Sequence, residues 1–489
     1  MPDIRYVCVS DLHLGADNSL LTHLRSNPGS ADPVTVDPGT PSAVLVEFAN
    51  CLGELVRHNK GSVKPTLVLN GDALELALAQ DNIALMAFEH FLELIFPING
   101  EALVAPKIIF NPGNHDHHLW ETARETQYVD FLQGKRSKKP GTDLPLPWHA
   151  TNMFDPDLVD SCLLNAAISR HPHMAAQGVH VGTVYPNLCL LNPDESKCVI
   201  FSHGHYVESI YMLMTTLGNF VFPNRVVPTE VWDIETENFA WIDFFWSAMG
   251  RSGEVGKDIE HVYDMLLVPK ARTRLILQLA RAAGQRWVRW APKLGEWLGL
   301  LSVPFVSSLV GRAGGLEKTQ VGQPLTPDAA QGLRAYVEGP LAKQIQAERQ
   351  QEMQAKTTFI FGHTHKPFST GMDFDHFPSG MKVYNSGGWV VDTKDTDPTH
   401  GGAIILVDEQ MNAVSVRMYN EASRPTAYHV RLEAVDEPAN PLHNRLAGLI
   451  DSNQDPWLSF SRVVADHVNT YHKNFRREST SSAPSHRTA

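Results

Sequence analysis

The chain has 489 residues, enough for about three units of roughly 150 residues each, or for one large core carrying insertions. At 43% hydrophobic and 19% charged it has the composition of an average globular protein, which excludes a wholly disordered, collagen-like or polytopic membrane chain. A net charge of −13 counts against a general nucleic-acid binder, because phosphate backbones call for clustered positive charge.

Ile4 to Ser10 reads as a strand from the outset and leaves no room for an export signal. Cys8, Cys51, Cys162, Cys189 and Cys198 are scattered with no CxxC pair, so a reducing, cytoplasmic compartment is expected. The Pro/Gly-rich stretch from Ser26 to Pro41 is expected to be a disordered loop. From Ser42 to His58, Val44, Leu45, Phe48, Leu52, Leu55 and Val56 fall on one face of a helix that Ser42 can cap. A second helix is expected from Asp81, as its cap, to about Phe96.

Short apolar runs of strand length recur at Arg5 to Val9, Thr66 to Leu69, Lys107 to Phe110, Cys198 to Phe201 and Thr358 to Phe361. Strands alternating with helices predict an α/β fold with a mainly parallel sheet and functional groups at the carboxyl ends of its strands. After Tyr206 the strand rhythm stops until Thr357, which predicts a helical insertion. The expected division is a core in two parts, 1–215 and 355–435, an insertion at 216–354, and a helical extension over 436–489 with a disordered tail from Glu478. Lys382 to Tyr384, Ala403 to Val407 and Ala413 to Met418 read as a closing β-meander. The uncharged stretch Trp297 to Val310 is shorter than a membrane span of about 20 residues and contains Pro304.

Each of the five apolar runs ends at a polar cluster: Ser10-Asp11-Leu12-His13, Asn70-Gly71-Asp72, Gly113-Asn114-His115-Asp116, Ser202-His203-Gly204-His205 and Gly362-His363-Thr364-His365. Carboxylates, imidazoles and an amide oxygen without thiolate form a ligand set for Mn, Fe or Zn rather than for a structural zinc knuckle. Taken singly, such residues are turn formers, helix caps or hydrogen-bonded core groups; five in succession call for a common explanation.

In this order the clusters resemble the calcineurin-like metallophosphoesterase superfamily, through Asp-x-His, Gly-Asp, Gly-Asn-His-Asp, a lone His and Gly-His-x-His. The resemblance covers roughly 1–206 and 357–420. It implies a four-layer αββα sandwich and two divalent metal ions, with Mn first and Fe, Zn, Co or Ni as alternatives. Carried over, Asp11, His13 and His365 would hold one ion, Asn114, His203 and His363 the other, and Asp72 would bridge them. Such a pair lowers the pKa of a bridging water and stabilises an in-line displacement at phosphorus. His115 is the candidate general acid, since an imidazole titrates near neutral pH. The family places an Asp four residues after the Gly to orient that histidine, where this chain has Glu75; Glu75 or Asp116 is expected to take the role.

The opening Asp-Leu-His-Leu-Gly and the insertion are also loosely similar to UDP-2,3-diacylglucosamine pyrophosphohydrolases, which are shorter and usually carry Arg at the position of His115. The expected substrate is a phosphorylated small molecule, with a lipid-linked pyrophosphate as the alternative; a non-catalytic scaffold is the contrasting class. Lys270, Arg272, Arg274, Arg281, Arg286, Arg289 and Lys293 have no acidic residue among them. They suggest a basic amphipathic helix, with peripheral membrane contact through residues 270–311, or else an ordinary core-packed helix. Lys135, Arg136, Lys138 and Lys139 read as a solvated loop or a substrate rim. His117 and His118 are expected at the pocket mouth, His205 behind the ligands, and Asn385 in a turn.

Overall fold

The computed structural model describes residues 2–25, 35–134, 144, 146–248 and 322–481. The basic stretch 270–293, the uncharged stretch 297–310 and the run 135–139 lie outside the described residues.

The strands are β1 Ile4–Val9, β2 Leu24–Arg25, β3 Thr35–Val36, β4 Thr66–Leu69, β5 Lys107–Phe110, β6 Val159–Asp160, β7 His180–Thr183, β8 Asn187–Leu191, β9 Lys197–Ser202, β10 Lys356–Phe361, β11 Phe368–Met372, β12 Met381–Asn385, β13 Gly401–Asp408, β14 Ala413–Asn420 and β15 Arg431–Glu433. The principal helices are α1 Ala43–Arg57, α2 Asp81–Ile95, α3 His118–Gly134, α4 Cys162–Ser169, α5 Pro172–Ala176, α6 Leu213–Val221, α7 Val231–Ile242, α8 Pro327–Tyr336, α9 Ala342–Arg349, α10 Pro441–Leu446 and α11 Trp457–Ser481.

The protein is a mixed α/β structure. Its larger sheet has eight strands in the order β15-β14-β13-β1-β4-β5-β7-β6, and a second has five in the order β11-β12-β10-β9-β8. The centre of each is parallel (β1-β4-β5-β7 and β9-β10-β12), with antiparallel strands on both flanks. A single mainly parallel sheet is therefore replaced by two mixed ones.

Period-two alternation sorts each strand's side chains into cores. Val7, Val9, Leu67, Leu69, Ile108 and Phe110 face Phe48 and Leu52 of α1, Phe88 and Phe91 of α2, and Phe460 and Val464 of α11. Their alternates Cys8, Val68 and Ile109 meet Val199, Phe201, Ile360 and Tyr384 between the sheets. The outer face of the second sheet, through Ile200, Phe359 and Phe361, packs on Leu333 and Val337 and on Leu341 and Ile345.

Ser42 caps α1 as its spacing predicts, accepting the Val44 amide at 3.1 Å. Asp81 does not cap α2: Gln80 stands at the cap, and Asp81 is already helical, where its charge complements the positive end of the helix dipole. The expected disordered loop at 26–41 is corrected in part, since Thr35 and Val36 pair with Leu24 and Arg25; residues 26–34 lie outside the described set. Likewise Glu478 to Ser481, expected in a disordered tail, form the last turn of α11. Between β9 and β10 the described chain forms no strand, in keeping with a helical insertion. Among the described residues no helix is long and apolar enough to cross a membrane.

Candidate metal centre

Every predicted ligand lies just past the carboxyl end of a parallel strand, with β1, β4 and β5 supplying one side and β9 and β10 the other. The two sheets are laced together here. Asn70 Nδ2 donates to the Ser202 carbonyl at 2.8 Å, Asn111 Nδ2 donates to Asn70 Oδ1 at 3.0 Å, and the His363 amide donates to Asp11 Oδ1 at 2.9 Å. The motif glycines permit the close approach: a Cβ on Gly71, whose φ is +93°, would lie 2.1 Å from His203 Nδ1, and one on Gly113 would lie 2.2 Å from Asp72 Oδ1.

Asp11, His13, Asp72, Asn114, His203, His363 and His365 are all buried, as are Glu75, His115 and Asp116. Their ligand atoms gather in three groups, Asp11–His13–His365, Asp72–His203–His363 and, sharing His13, His13–Glu75–His115; Asn114 Oδ1 lies 3.0 Å from His203 Nε2. One oxygen, Asp72 Oδ2, faces the first two, at 3.7 Å from His13 Nε2 and 3.3 Å from His203 Nε2. Asp11, His13, Asp72, His363 and His365 all have positive φ, between 44° and 67°, a left-handed backbone that aims consecutive polar groups inward at a conformational cost of about 1 kcal/mol each.

Three ligand imidazoles are locked by their Nδ1 atoms: His13 on Glu75 Oε2 at 2.9 Å, His365 on Asp392 Oδ2 at 2.6 Å and His203 on the Asn70 carbonyl at 3.2 Å. Each is left with Nε2 toward the centre, the usual outer-shell device for a metal-binding histidine. His13 Nε2 and His365 Nε2 stand 3.2 Å apart, and two imidazole nitrogens aimed at each other share at most one proton. His363 Nε2 is buried with no hydrogen-bond partner. The ion-pair partners of Asp11 and Asp72 among the described residues are imidazoles only. Donor set and burial together fit divalent cations.

The charges are strongly coupled. Burial alone would raise Asp72, but the imidazoles of His203 and His115 hold it well below the usual carboxylate range. Glu75 is lowered in the same way despite burial, by His115 and His13. Burial pushes His203 down and the Asp72 carboxylate more than offsets this, to about 9; for His365 the Asp392 carboxylate does the same, again to about 9. Burial lowers His13 and His363. A metal-bound imidazole must be neutral, so any cation taken up here would compete with protons at His203 and His365.

Glu75 is the residue that meets the candidate acid: its Oε1 lies 2.9 Å from His115 Nδ1 while Oε2 holds His13. The longer side chain spans two histidines at once, and His115 Nε2 is left buried with no partner. Asp116 does not orient His115. Its carboxylate accepts the amides of Ala73 and Gly113, each at 2.7 Å, and of Leu74 at 3.2 Å, pinning the turn that carries Asp72. Burial, and then the neighbouring Asp72 carboxylate, push Asp116 up to about 7.

His117 is fully buried, bonded through Nε2 to Glu235 Oε1 at 2.7 Å, so it does not line a pocket mouth. His118 is half-buried on Asp243 at 2.9 Å, and His205 lies behind the cage, 3.2 Å from the Tyr185 hydroxyl. Asn385 is turn-forming, donating to the Gly362 carbonyl at 2.8 Å and accepting the Gly387 amide at 2.7 Å. The sequence reading missed Asp392, Glu208, which lies 3.5 Å from His363 Nε2, and Glu235. None belongs to a motif; the only signal at Asp392 is its place shortly after the Asn385-Ser386-Gly387-Gly388-Trp389 turn.

Set beside known proteins, the chain matches no family model and no curated sequence.

Proposed function

We propose that the chain is a two-metal phosphoesterase of the calcineurin-like type, hydrolysing a phosphate ester or pyrophosphate. The observation that carries this reading is Asp72 Oδ2, a single carboxylate oxygen facing a histidine of each ligand group. Motif order supports the family, and the succession of helix, sheet, sheet and helix cores supports a four-layer αββα sandwich as its architecture.

Asp11, His13 and His365 would hold one cation and Asn114, His203 and His363 the other, with Asp72 shared; the O/N donor set suits Mn, Fe, Zn, Co or Ni, and the family resemblance puts Mn first. When bound, such a pair supplies a nucleophile at neutral pH and charge stabilisation for an in-line displacement. The chain's own part is the rest. Glu75 holds His115 by Nδ1, so that the free Nε2 can carry a proton to the leaving oxygen. Glu75, Asp392 and the Asn70 carbonyl fix the ligand rings, and burial excludes bulk water.

The test is hydrolysis of bis-p-nitrophenyl phosphate and p-nitrophenyl phosphate by metal-stripped protein, with Mn, Fe, Co, Ni or Zn restored singly. Turnover that requires metal is expected; none with any ion, and none on a lipid pyrophosphate, would return the fold to a binding scaffold. A lipid-linked substrate is favoured by one feature: in the loop joining α6 and α7, Phe222 is 63% and Val226 93% exposed. We place the protein in the cytoplasm, in line with its five free cysteines, four of them buried.

A further inference from the structure

A second buried polar cluster lies directly behind the metal cage, and its centre comes from the insertion. Glu235, on α7, is completely buried. Its Oε1 lies 2.7 Å from His117 Nε2, its Oε2 accepts the Tyr185 hydroxyl at 2.9 Å, and the same oxygen accepts the Tyr206 hydroxyl. Tyr185 in turn reaches His205 Nε2 at 3.2 Å. Both carboxylate oxygens are therefore engaged, by donors from three separate stretches of the core.

Those stretches are not arbitrary. His117 follows Asn114, His115 and Asp116 directly, while His205 and Tyr206 follow His203 in the turn after β9. One carboxylate thus grips both loops that present Asn114 and His203, and with the first of them His115. Asp11, His13 and His365 lie on other loops, outside its reach. The same face of the insertion reinforces the hold: Ser247 Oγ accepts the His118 amide at 2.8 Å, Asp243 pairs with His118 Nδ1 at 2.9 Å, and the Tyr211 ring sits edge-on to His363 at 5.1 Å.

We propose that Glu235 is a positioning residue, through which the insertion holds Asn114, His203 and the acid His115 in working geometry. The inference rests on the two-metal reading and adds to it a direction: the insertion acts directly on the half of the cage built on Asn114 and His203, and reaches the other half only through Glu75, which holds both His115 and His13. A buried carboxylate serving only to fasten a helix would stabilise the fold without distinguishing the halves.

The test uses the full chain, as wild type, Glu235→Gln and Glu235→Ala, stripped of metal and titrated with Mn while electron paramagnetic resonance follows each site. In Glu235→Ala the site built on Asn114, His203 and His363 is expected to lose about 10-fold in affinity. The site built on Asp11, His13 and His365, which the insertion reaches only through Glu75, should lose clearly less. Glu235→Gln, nearly isosteric, should shift in the same direction and decides the matter if the alanine variant does not fold. In turnover, kcat for an alkyl phosphate should fall more than for p-nitrophenyl phosphate, with KM within about twofold, as expected when an acid is misplaced. Equal losses at both sites, or a lower Tm with both affinities unchanged, would overturn the positioning role while leaving the two-metal reading intact. Wild-type protein that takes up no second Mn would overturn both.

Discussion

The candidate metal cage and the Glu235 cluster are neighbours of similar depth, both built on carboxylates and imidazoles, yet they differ in provenance. The cage draws its ligands from the ends of parallel strands in two sheets, where backbone geometry dictates spacing. The cluster draws its central carboxylate from a helix inserted between β9 and β10, and its tyrosines and histidines from loops behind the strand ends. In the cage His363 Nε2 has only the Glu208 carboxylate at 3.5 Å, too long for a good hydrogen bond, whereas both oxygens of Glu235 accept short ones. Both clusters keep orphaned imidazole nitrogens, His115 Nε2 in the first and His117 Nδ1 and His205 Nδ1 in the second, but only the first gathers two ligand groups around a shared carboxylate oxygen.

The sharpest way to break that contrast is Asp72→Asn. It removes the shared ligand charge and is expected to abolish turnover and second-metal uptake, while the far-ultraviolet circular dichroism of the metal-free protein stays unchanged. Retained turnover would refute the assigned centre. His115→Ala should leave metal content intact and slow alkyl esters by about 10²- to 10⁴-fold, with a smaller loss for p-nitrophenyl esters, read from kcat across a leaving-group series. Next in size is Asp392→Asn, which loosens the His365 ring and should cost about 10- to 100-fold in affinity for the first metal by Mn titration.

The smallest effect lies away from both clusters. His472 on α11 sits 3.2 Å from Glu421, and the Glu421 carboxylate raises it above the ordinary imidazole value against the opposing effect of burial. A raised folded-state pKa means the stabilisation is complete below about pH 6.5 and is lost as pH rises through the folded value. Thermal melts should therefore show a decline above that pH, worth about 1 kcal/mol or less, that His472→Gln removes. A pH dependence identical in both proteins would dismiss this pair as its source.

What the sequence disclosed follows from the same contrast. Ser10 to His13, Asn70 to Asp72 and Gly362 to His365 are legible because a strand end, a glycine and two inward-facing groups must be adjacent in the chain. Glu75 was legible as a candidate, but only the structure shows its two oxygens dividing between His115 and His13. Asp392 and Glu235 carry no local pattern, since what they serve lies on other segments: the chain folds back from 27 residues away to reach His365 and from 118 away to reach His117. Architecture behaved likewise. The alternation of strands and helices announced an α/β protein, and two sheets were expected only through the family resemblance; alternation alone does not say which strands share a sheet, since β5 pairs with β7 while β9 pairs with β10.

The left-handed backbone at Asp11, His13, Asp72, His363 and His365 bears on the chain's history as well as on its geometry. Glycine would be more comfortable at each of these positions, so the fold gains stability whenever one of them drifts. A lineage released from catalysis would slide toward that more stable, inert form. On the two-metal proposal, all five positions still carry an aspartate or histidine able to serve as a ligand, at the cost of that strained backbone.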